Sequence, residues 1–234
     1  VGVGGAIGSW GWDIGDGPYA NSTSGVLDRQ LQVMELTKNH PSVKGWVTLV
    51  GHDLMSDELI QKASNLAKDN LTNLTFHLSP HAGEVSQYLE KTGMRPIDYI
   101  SKLGVLGSHV LIGHAVHIND SELETLIRSK TAIASCPWAY LKLGQGITKF
   151  GRHPEFLSKG GRLSLGCDTE NAGDNKDLLL TARLFSGLMQ EAKLKLDKPA
   201  SHYALELITI GGAEALGLKE EIGSIEIGKR ADVV

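Results

Sequence analysis

The sequence lacks the features that mark a secreted disulfide scaffold, a membrane protein or a nucleic-acid-binding protein. It has only two cysteines, Cys136 and Cys167, in 234 residues. We expect two reduced thiols in the core, with a single disulfide as the open alternative. No apolar run approaches the ~20 residues that a transmembrane helix needs. The net charge of −4 provides no basic surface, so neither a membrane nor a nucleic acid is an expected partner.

The start of the chain also carries no recognisable targeting or cofactor signal. Val1-Gly2-Val3-Gly4-Gly5 contains no initiator methionine and no charged region, so we predict no signal peptide and a cytoplasmic location. Glycines at 2 and 4 do not complete a dinucleotide-binding motif because position 7 is isoleucine. The remaining composition, 41% apolar and 21% charged, is ordinary for one α/β domain or part of a larger one.

Short apolar runs alternate with stretches of helical spacing along the chain, which predicts a parallel β/α array. The six runs that we interpret as strands are residues 6–10, 45–50, 74–79, 110–117, 131–136 and 162–168. Three of them carry His77, then His114 with His117, then Asp168 at or near their ends. Because chemistry collects at the C-terminal ends of parallel strands, this ordered set predicts a metal-dependent site.

Each of these residues also has an ordinary structural interpretation. His77 taken alone could be a satisfied core histidine, and only the ordered set with His114 and Asp168 favours a site. His117 either lines the pocket or begins the loop before a capping box. Cys167, beside Asp168, is interpreted as a small apolar filler because no thiol-activating partner lies near it in the sequence.

The same strand ends, in the same order, resemble those of a known family. The matching segments are Phe76-His77, Gly113-His114-Ala115-Val116-His117, residues 136–146, Leu165-Gly166-Cys167-Asp168, residues 211–217 and residues 223–232. The set is similar to the amidohydrolase superfamily, in the branch of cytosine deaminase, S-adenosylhomocysteine deaminase and the triazine hydrolases. The resemblance implies an α/β fold, the (β/α)8 TIM barrel of that family, with a small β-sandwich.

On this alignment, residues 1–222 are expected to hold barrel strands three to eight with their helices. Residues 223–234 are expected to begin the C-terminal β-sandwich segment as a turn entering a strand. The family's His-x-His metal motif on strand one occurs nowhere in this sequence. Because six strands are too few for a closed eight-stranded barrel and the last strand has no partner, we expect that the sequence is cut at both ends. A catalytically silent fragment or binding module is therefore one alternative.

The resemblance also implies a mechanism with one divalent metal, Zn²⁺ or alternatively Fe²⁺. His77 and Asp168 would bind the metal, together with the two strand-one histidines. Asp168 would also move a proton, and His114 would hydrogen-bond the attacking hydroxide or the developing oxyanion. Residues 46–51 contain no lysine, which favours a single metal. The implied reaction cleaves a C–N bond of a cyclic amidine or aminated heterocycle.

Two departures from the family pattern affect this expectation. Deaminases of this branch place a glutamate three residues after the strand-five histidine, where this chain has Pro80. Either His81 or Glu84 substitutes from the following turn, or the substrate needs no ring protonation and is an amide or carries another leaving group. Trp138 and Tyr140, with His117, are expected to contact a small-molecule substrate. A homo-oligomer is possible.

Overall fold

Parallel strands form the centre of the computed structural model, which describes residues 4–173, 176–192 and 197–230. The strands are β1 (Gly5–Ile7), β2 (Val43–Gly45), β3 (Val47–Gly51), β4 (Leu74–Leu78), β5 (Val110–His114), β6 (Ala132–Ser135) and β7 (Leu163–Leu165). β1 pairs with β2, and β3 to β7 form a five-stranded sheet in chain order. This order of parallel neighbours is that of a β/α barrel wall, as the sequence predicts.

The predicted strand over residues 45–50 is divided at Trp46. The backbone N–H of Trp46 donates to Ile7 (2.7 Å), whereas that of Val47 donates to Asn73 (2.9 Å). The chain therefore exchanges β1 for β4 as its hydrogen-bonding partner within two residues. The segment that follows β1 still packs on β3 beyond this point, since a Cβ on Gly8 would lie 1.9 Å from Oγ1 of Thr48. The division is thus a change of partner within one curved wall.

Helices follow the strands as expected. They are α1 (Thr23–Thr37), α2 (Asp57–Asp69), α3 (Ala82–Thr92), α4 (Pro96–Lys102), α5 (Asp120–Ser129), α6 (Pro137–Lys142), α7 (Ile147–Phe150), α8 (His153–Ser158), α9 (Glu170–Gly173), α10 (Leu178–Glu191), α11 (Ala200–Leu207) and α12 (Ile210–Ala215). α11 and α12 are separate helices. No helix of the described ranges is both long and apolar enough to cross a membrane.

Alternation along β4 decides which side chains lie in the core and which face the opposite side of the sheet. Leu74, Phe76 and Leu78 are buried in one apolar cluster that includes Leu59 of α2. Successive residues of a strand point to opposite faces. His77 therefore lies on the face away from these helix contacts.

The C-terminal segment differs from the prediction over the residues that can be compared. Residues 223–230 form turns and contain no strand, and the side chains of Ile225 and Ile227 are exposed. Residues 231–234, over which the predicted strand would continue, lie outside the described residues. The assignment of residues 223–234 to a sandwich segment stays a prediction.

Glu122 joins two helices through a buried carboxylate. Oε2 accepts from the backbone N–H of Asn119 (3.0 Å) and from Nε of Arg95 (2.7 Å), and Oε1 accepts from the N–H of Ile97 (3.1 Å). The reciprocal bond from the N–H of Glu122 to the Asn119 side chain completes the predicted capping box. The residue thus fixes the start of α5 against the start of α4.

We predict that Glu122→Ala lowers the free energy of unfolding by about 2–4 kcal/mol, because a cap is lost and three donors lose their acceptor. Urea denaturation measures the change. The matched control is Glu124→Ala on the same helix, whose exposed pair with Lys159 should contribute far less to stability because solvent screens it. Equal losses in the two variants would contradict the assigned role of Glu122.

Candidate active site

Sharp left-handed turns occur where the strands of the sheet end. His52, Ser79, His114, Ala115 and Asp168 have φ of 57°, 54°, 81°, 49° and 62°. This conformation is uncommon for residues other than glycine, and it clusters at functional sites when the surrounding structure enforces it. The turns also shorten the predicted strands 110–117 and 162–168, which end at His114 and Leu165.

His77 lies at the centre of this edge with a fixed ring orientation. Its Nδ1 donates to the backbone carbonyl of Val50, which leaves the Nε2 lone pair free. Burial lowers the pKa of His77, although the Val50 carbonyl and the Asp168 carboxylate act in the opposite direction. A neutral ring with a free nitrogen is the form that binds a metal.

His114 stacks on His77, with ring centroids 5.0 Å apart and ring planes 15° apart. Its side chain is buried, and burial lowers its pKa to about 3, so the ring is neutral at physiological pH. Nδ1 of this ring is buried and has no hydrogen-bond partner among the described residues. Leaving a buried nitrogen unpaired is costly in a native structure.

Asp168 and Cys136 lie next to His114. One donor atom from each of the three residues lies within 4.8 Å of the other two. Both cysteines are free thiols, as predicted. Burial, and then the Asp168 carboxylate, raise the pKa of the Cys136 thiol to about 12. Cys136 is therefore protonated at neutral pH unless a cation compensates its charge.

The sequence interpretation missed His52, which directly follows β3. Its ring stacks on His77, with centroids 5.2 Å apart and planes 9° apart. Its Nδ1 lies 2.7 Å from Oε2 of Glu84, whose Oε1 accepts from the N–H of Ser79 (3.1 Å). The strand-end rule that selected His77 applies equally to His52, two residues beyond the predicted strand 45–50.

His153 begins α8. Its fully buried side chain also contacts the site. Nε2 donates to the carbonyl of His114 (2.7 Å), and Nδ1 accepts from Oγ of Ser135 (2.8 Å). His153 thereby holds the carbonyl of a residue whose backbone is strained. No local sequence signal reveals this contact across 39 residues.

The remaining predicted residues differ in whether they are connected to the stacked histidines. Glu84 is buried and holds His52, whereas His81 is exposed and its Nδ1 caps α3 by accepting from the N–H of Glu84 (3.2 Å). The Nε2 of His117 lies 2.8 Å from the carbonyl oxygen of Gln145. The geometry thus connects Glu84, rather than His81 or His117, to the stacked histidines.

The two aromatic residues expected to touch substrate also differ. Tyr140 is fully buried, and its hydroxyl accepts from the N–H of Cys136 (2.8 Å) and donates to the carbonyl of Ala134 (3.3 Å). Its ring meets His114 edge-on at 5.7 Å. Its hydroxyl is thus engaged by backbone groups, and the expected contact of Tyr140 with substrate stays a prediction. Trp138 is half-buried, and its Nε1 has no partner among the described residues.

These donors fit a divalent ion of the zinc type. Neutral imidazole and carboxylate are ligands that such ions prefer. His77 offers Nε2, and Asp168 lies close enough to influence its pKa. His77 is not part of the three-residue group formed by His114, Cys136 and Asp168. The predicted pairing of His77 with Asp168 as metal ligands stays a prediction.

Comparison with known proteins identifies a matching family and several related proteins for this chain. The sequence model of the Amidohydrolase family matches residues 23–234. The chain is 32% identical over 179 residues to the 5'-deoxyadenosine deaminase of Methanobrevibacter smithii, covering 76% of this chain and 40% of that protein. It is 32% identical over 177 residues to the 5-methylthioadenosine/S-adenosylhomocysteine deaminase of Moorella thermoacetica, covering 76% and 41%.

Solved structures show the same fold. An adenosine deaminase from Xanthomonas campestris with bound zinc superposes with a TM-score of 0.88 at 22% identity, covering 97% of this chain and 51% of that chain. The E. coli guanine deaminase gives 0.84 at 24% identity, covering 97% and 52%. The chain thus spans about two-fifths of these curated relatives and half of these structures. The expected TIM-barrel fold is confirmed as a partial, open wall.

Burial of His153 predicts a pH dependence of stability. Its pKa is lowered from 6.5 to about 4 by burial, so between these values the unfolded chain binds more protons than the folded one. Stability therefore rises with pH across this window and is lost as pH falls through it. We expect His153→Gln to reduce the slope by about 1 kcal/mol per pH unit.

Urea denaturation at several pH values between 4 and 6.5 tests this effect. The control is His202→Gln, on the exposed surface of α11. An unchanged slope in His153→Gln would show that His153 is not kept neutral by folding.

Proposed function

The chain belongs to the Amidohydrolase family, and we propose that it is a metal-dependent hydrolase that removes an amino group from an aminated heterocycle. The observation that carries the proposal is the meeting of His77, His114 and Asp168 at one edge of the sheet. The deaminase names of the curated relatives support a substrate of the aminated purine class. The substrate is a small molecule.

Metal binding is assigned to His77 and Asp168. The ion would be Zn²⁺ or alternatively Fe²⁺. When bound, such an ion supplies electrophilic polarisation and makes a water molecule more acidic. The fit rests on the free Nε2 of His77 and on the carboxylate that lies near it.

Proton transfer is assigned to Asp168. Its carboxylate lies among buried groups, with one oxygen accepting from the N–H of Thr169 (2.7 Å). A carboxylate held in this way can take a proton from the attacking water and return it to the departing amine. The adjacent His114 is neutral and keeps one N–H, which can donate to the oxyanion that forms during attack.

The proton for the substrate ring is assigned to Glu84. Pro80 cannot deliver a proton, whereas Glu84 reaches the same strand end through its bond to the N–H of Ser79. His81 is the weaker candidate because its Nδ1 caps α3. His117 and Trp138 are kept as proposed substrate contacts.

A second candidate reaction follows from Pro80. If no group protonates the ring, the enzyme acts on an amide or on a substrate with a different leaving group. A panel of aminated purine nucleosides and bases, cyclic amides and chlorinated heterocycles separates the two reactions. Release of ammonia supports deamination, and release of chloride or a carboxylate product without ammonia supports the second candidate.

The remaining assignments of the chain are also proposals. Residues 1–222 are assigned to the barrel and residues 223–234 to the start of the β-sandwich segment. A cytoplasmic location and a homo-oligomeric state are expected from the sequence interpretation alone. Size-exclusion chromatography with light scattering tests the second of these.

We predict that Asp168→Asn lowers kcat/KM for ammonia release by at least about 10²–10⁴-fold, since the amide cannot accept the proton. A coupled ammonia assay measures the rate. Asp69→Asn, on the exposed end of α2, is the control and should retain full activity. Retained activity in Asp168→Asn would remove this residue from the mechanism.

We predict that Glu84→Gln lowers the deamination rate by about 10²-fold or more while affecting chloride release far less, because only the first needs ring protonation. Both rates are measured on one preparation, so any loss of folded protein divides out of their ratio. An unchanged ratio would show that Glu84 serves only to hold His52.

A further inference from the structure

Trp10 is an aromatic side chain at the edge of the candidate active site, and none of the roles assigned above uses it. It lies just beyond the end of β1, and its ring centroid is 5.8 Å from that of His77, with the ring planes 84° apart. The indole is nevertheless 41% exposed. An apolar ring that adjoins the central histidine and is still open to solvent is available to a ligand.

The backbone before Trp10 is held by a buried amide. The carbonyl of Ser9 accepts from Nε2 of Gln30, a residue of α1 that is fully buried. Oε1 of the same amide accepts from the N–H of Thr48 (3.0 Å) in β3. Gln30 therefore ties the residue before Trp10 to the strand that leads to His52.

The backbone after Trp10 is held in a similar way. The carbonyl of Gly11 accepts from the N–H of Val50 (3.2 Å) in β3. Gly11 also packs closely on α1, because a Cβ at this position would lie 2.5 Å from Cγ1 of Val26. Trp10 is thus fixed on both sides while its ring stays exposed, which lowers the entropy cost of binding a ligand against it.

We propose that Trp10 is a specificity-determining residue that stacks against one face of a planar heteroaromatic substrate. This role rests on the proposed function and adds to it the residue that selects the ring. An indole stacks on any ring that has a π-face, whereas a puckered saturated ring makes poorer contact with it. Trp10 therefore favours flat heterocycles over saturated cyclic amides.

The orientation of Trp10 suits attack on a stacked ring. The rings of His52, His77 and His114 are nearly parallel, with neighbouring planes 9° and 15° apart. Because the indole is nearly perpendicular to His77, a substrate ring stacked on the indole is also nearly perpendicular to these imidazoles. One face of that ring is covered by Trp10, and the opposite face stays open to the attacking nucleophile.

A role for Trp10 as a mere support of His77 would have different consequences. The His77 ring is already oriented by its bond to the carbonyl of Val50. His52 and His114 also pack on this ring. A residue that only supports His77 would change kcat when it is replaced, whereas a residue that stacks on the substrate changes the affinity for the ring.

Calorimetric titration of the zinc-loaded protein with inosine, a deaminated purine nucleoside, tests the stacking role without turnover. Trp10→Leu should raise the Kd for inosine by about 10–100-fold, because the stacking of the base on an aromatic ring is lost. Trp10→Phe keeps an aromatic face and should recover most of this affinity. In the ammonia assay with adenosine, Trp10→Leu should raise KM and leave kcat nearly unchanged.

The matched control is Tyr19→Leu. Tyr19 is a similarly exposed aromatic residue of the loop that follows β1, and its ring contacts Trp12 rather than His77. This variant should bind inosine as tightly as the unchanged protein does. Circular dichroism confirms that each variant is folded.

An unchanged Kd in Trp10→Leu, together with release of ammonia from adenosine, would overturn the stacking role and leave the proposed function intact. A lower kcat with an unchanged Kd would overturn it as well and would make Trp10 a support of His77. Failure of Trp10→Phe to recover affinity would also contradict stacking. If the unchanged protein neither binds inosine nor releases ammonia from any aminated heterocycle, the proposed function fails and the stacking role fails with it.

Discussion

Glycine on both sides of β4 is the constraint on which the site depends. Gly51 and Gly113 are the register neighbours of His77 on the adjacent strands. A Cβ on Gly51 would lie 2.2 Å from the carbonyl oxygen of His77, and one on Gly113 would lie 3.2 Å from the imidazole Cδ2. The His77 backbone and ring occupy their places because Gly51 leaves room for the backbone and Gly113 leaves room for the ring. Gly51 also has φ of +88°, so its substitution would strain the turn that leads to His52.

That placement creates a stack of three imidazoles with a carboxylate at each end. His52 and His114 pack on opposite sides of the His77 ring, with ring centroids 5.2 and 5.0 Å from the centroid of His77. Glu84 is bonded to His52, and Asp168 lies near His114. Burial lowers the pKa of His77 and His114, so these two rings are neutral. The two rings therefore provide no positive charge to compensate the carboxylates of Glu84 and Asp168, which favours a bound cation.

The sequence predicts those parts of this arrangement that depend on local patterns. Alternation along β4 predicts that His77 and Phe76 face opposite sides of the sheet. The ends of the predicted strands identify His114 and Asp168 as candidate site residues. The sequence does not predict the division at Trp46. That division depends on which distant strand offers a carbonyl group to the backbone N–H groups of Trp46 and Val47. His153 was missed for the same reason: its partners, Ser135 and the carbonyl of His114, are 18 and 39 residues away.

Because position 80 is proline, the nearby carboxylate comes from Glu84, and His81 and Glu84 form one structural unit. A carboxylate at position 80 would be carried by the strand itself, whereas Glu84 is carried by the first turn of α3 and bonds back to Ser79. Its position therefore depends on where α3 begins. His81 fixes that start, because its Nδ1 accepts from the N–H of Glu84. His81 thus holds the start of the helix, and that helix in turn positions Glu84.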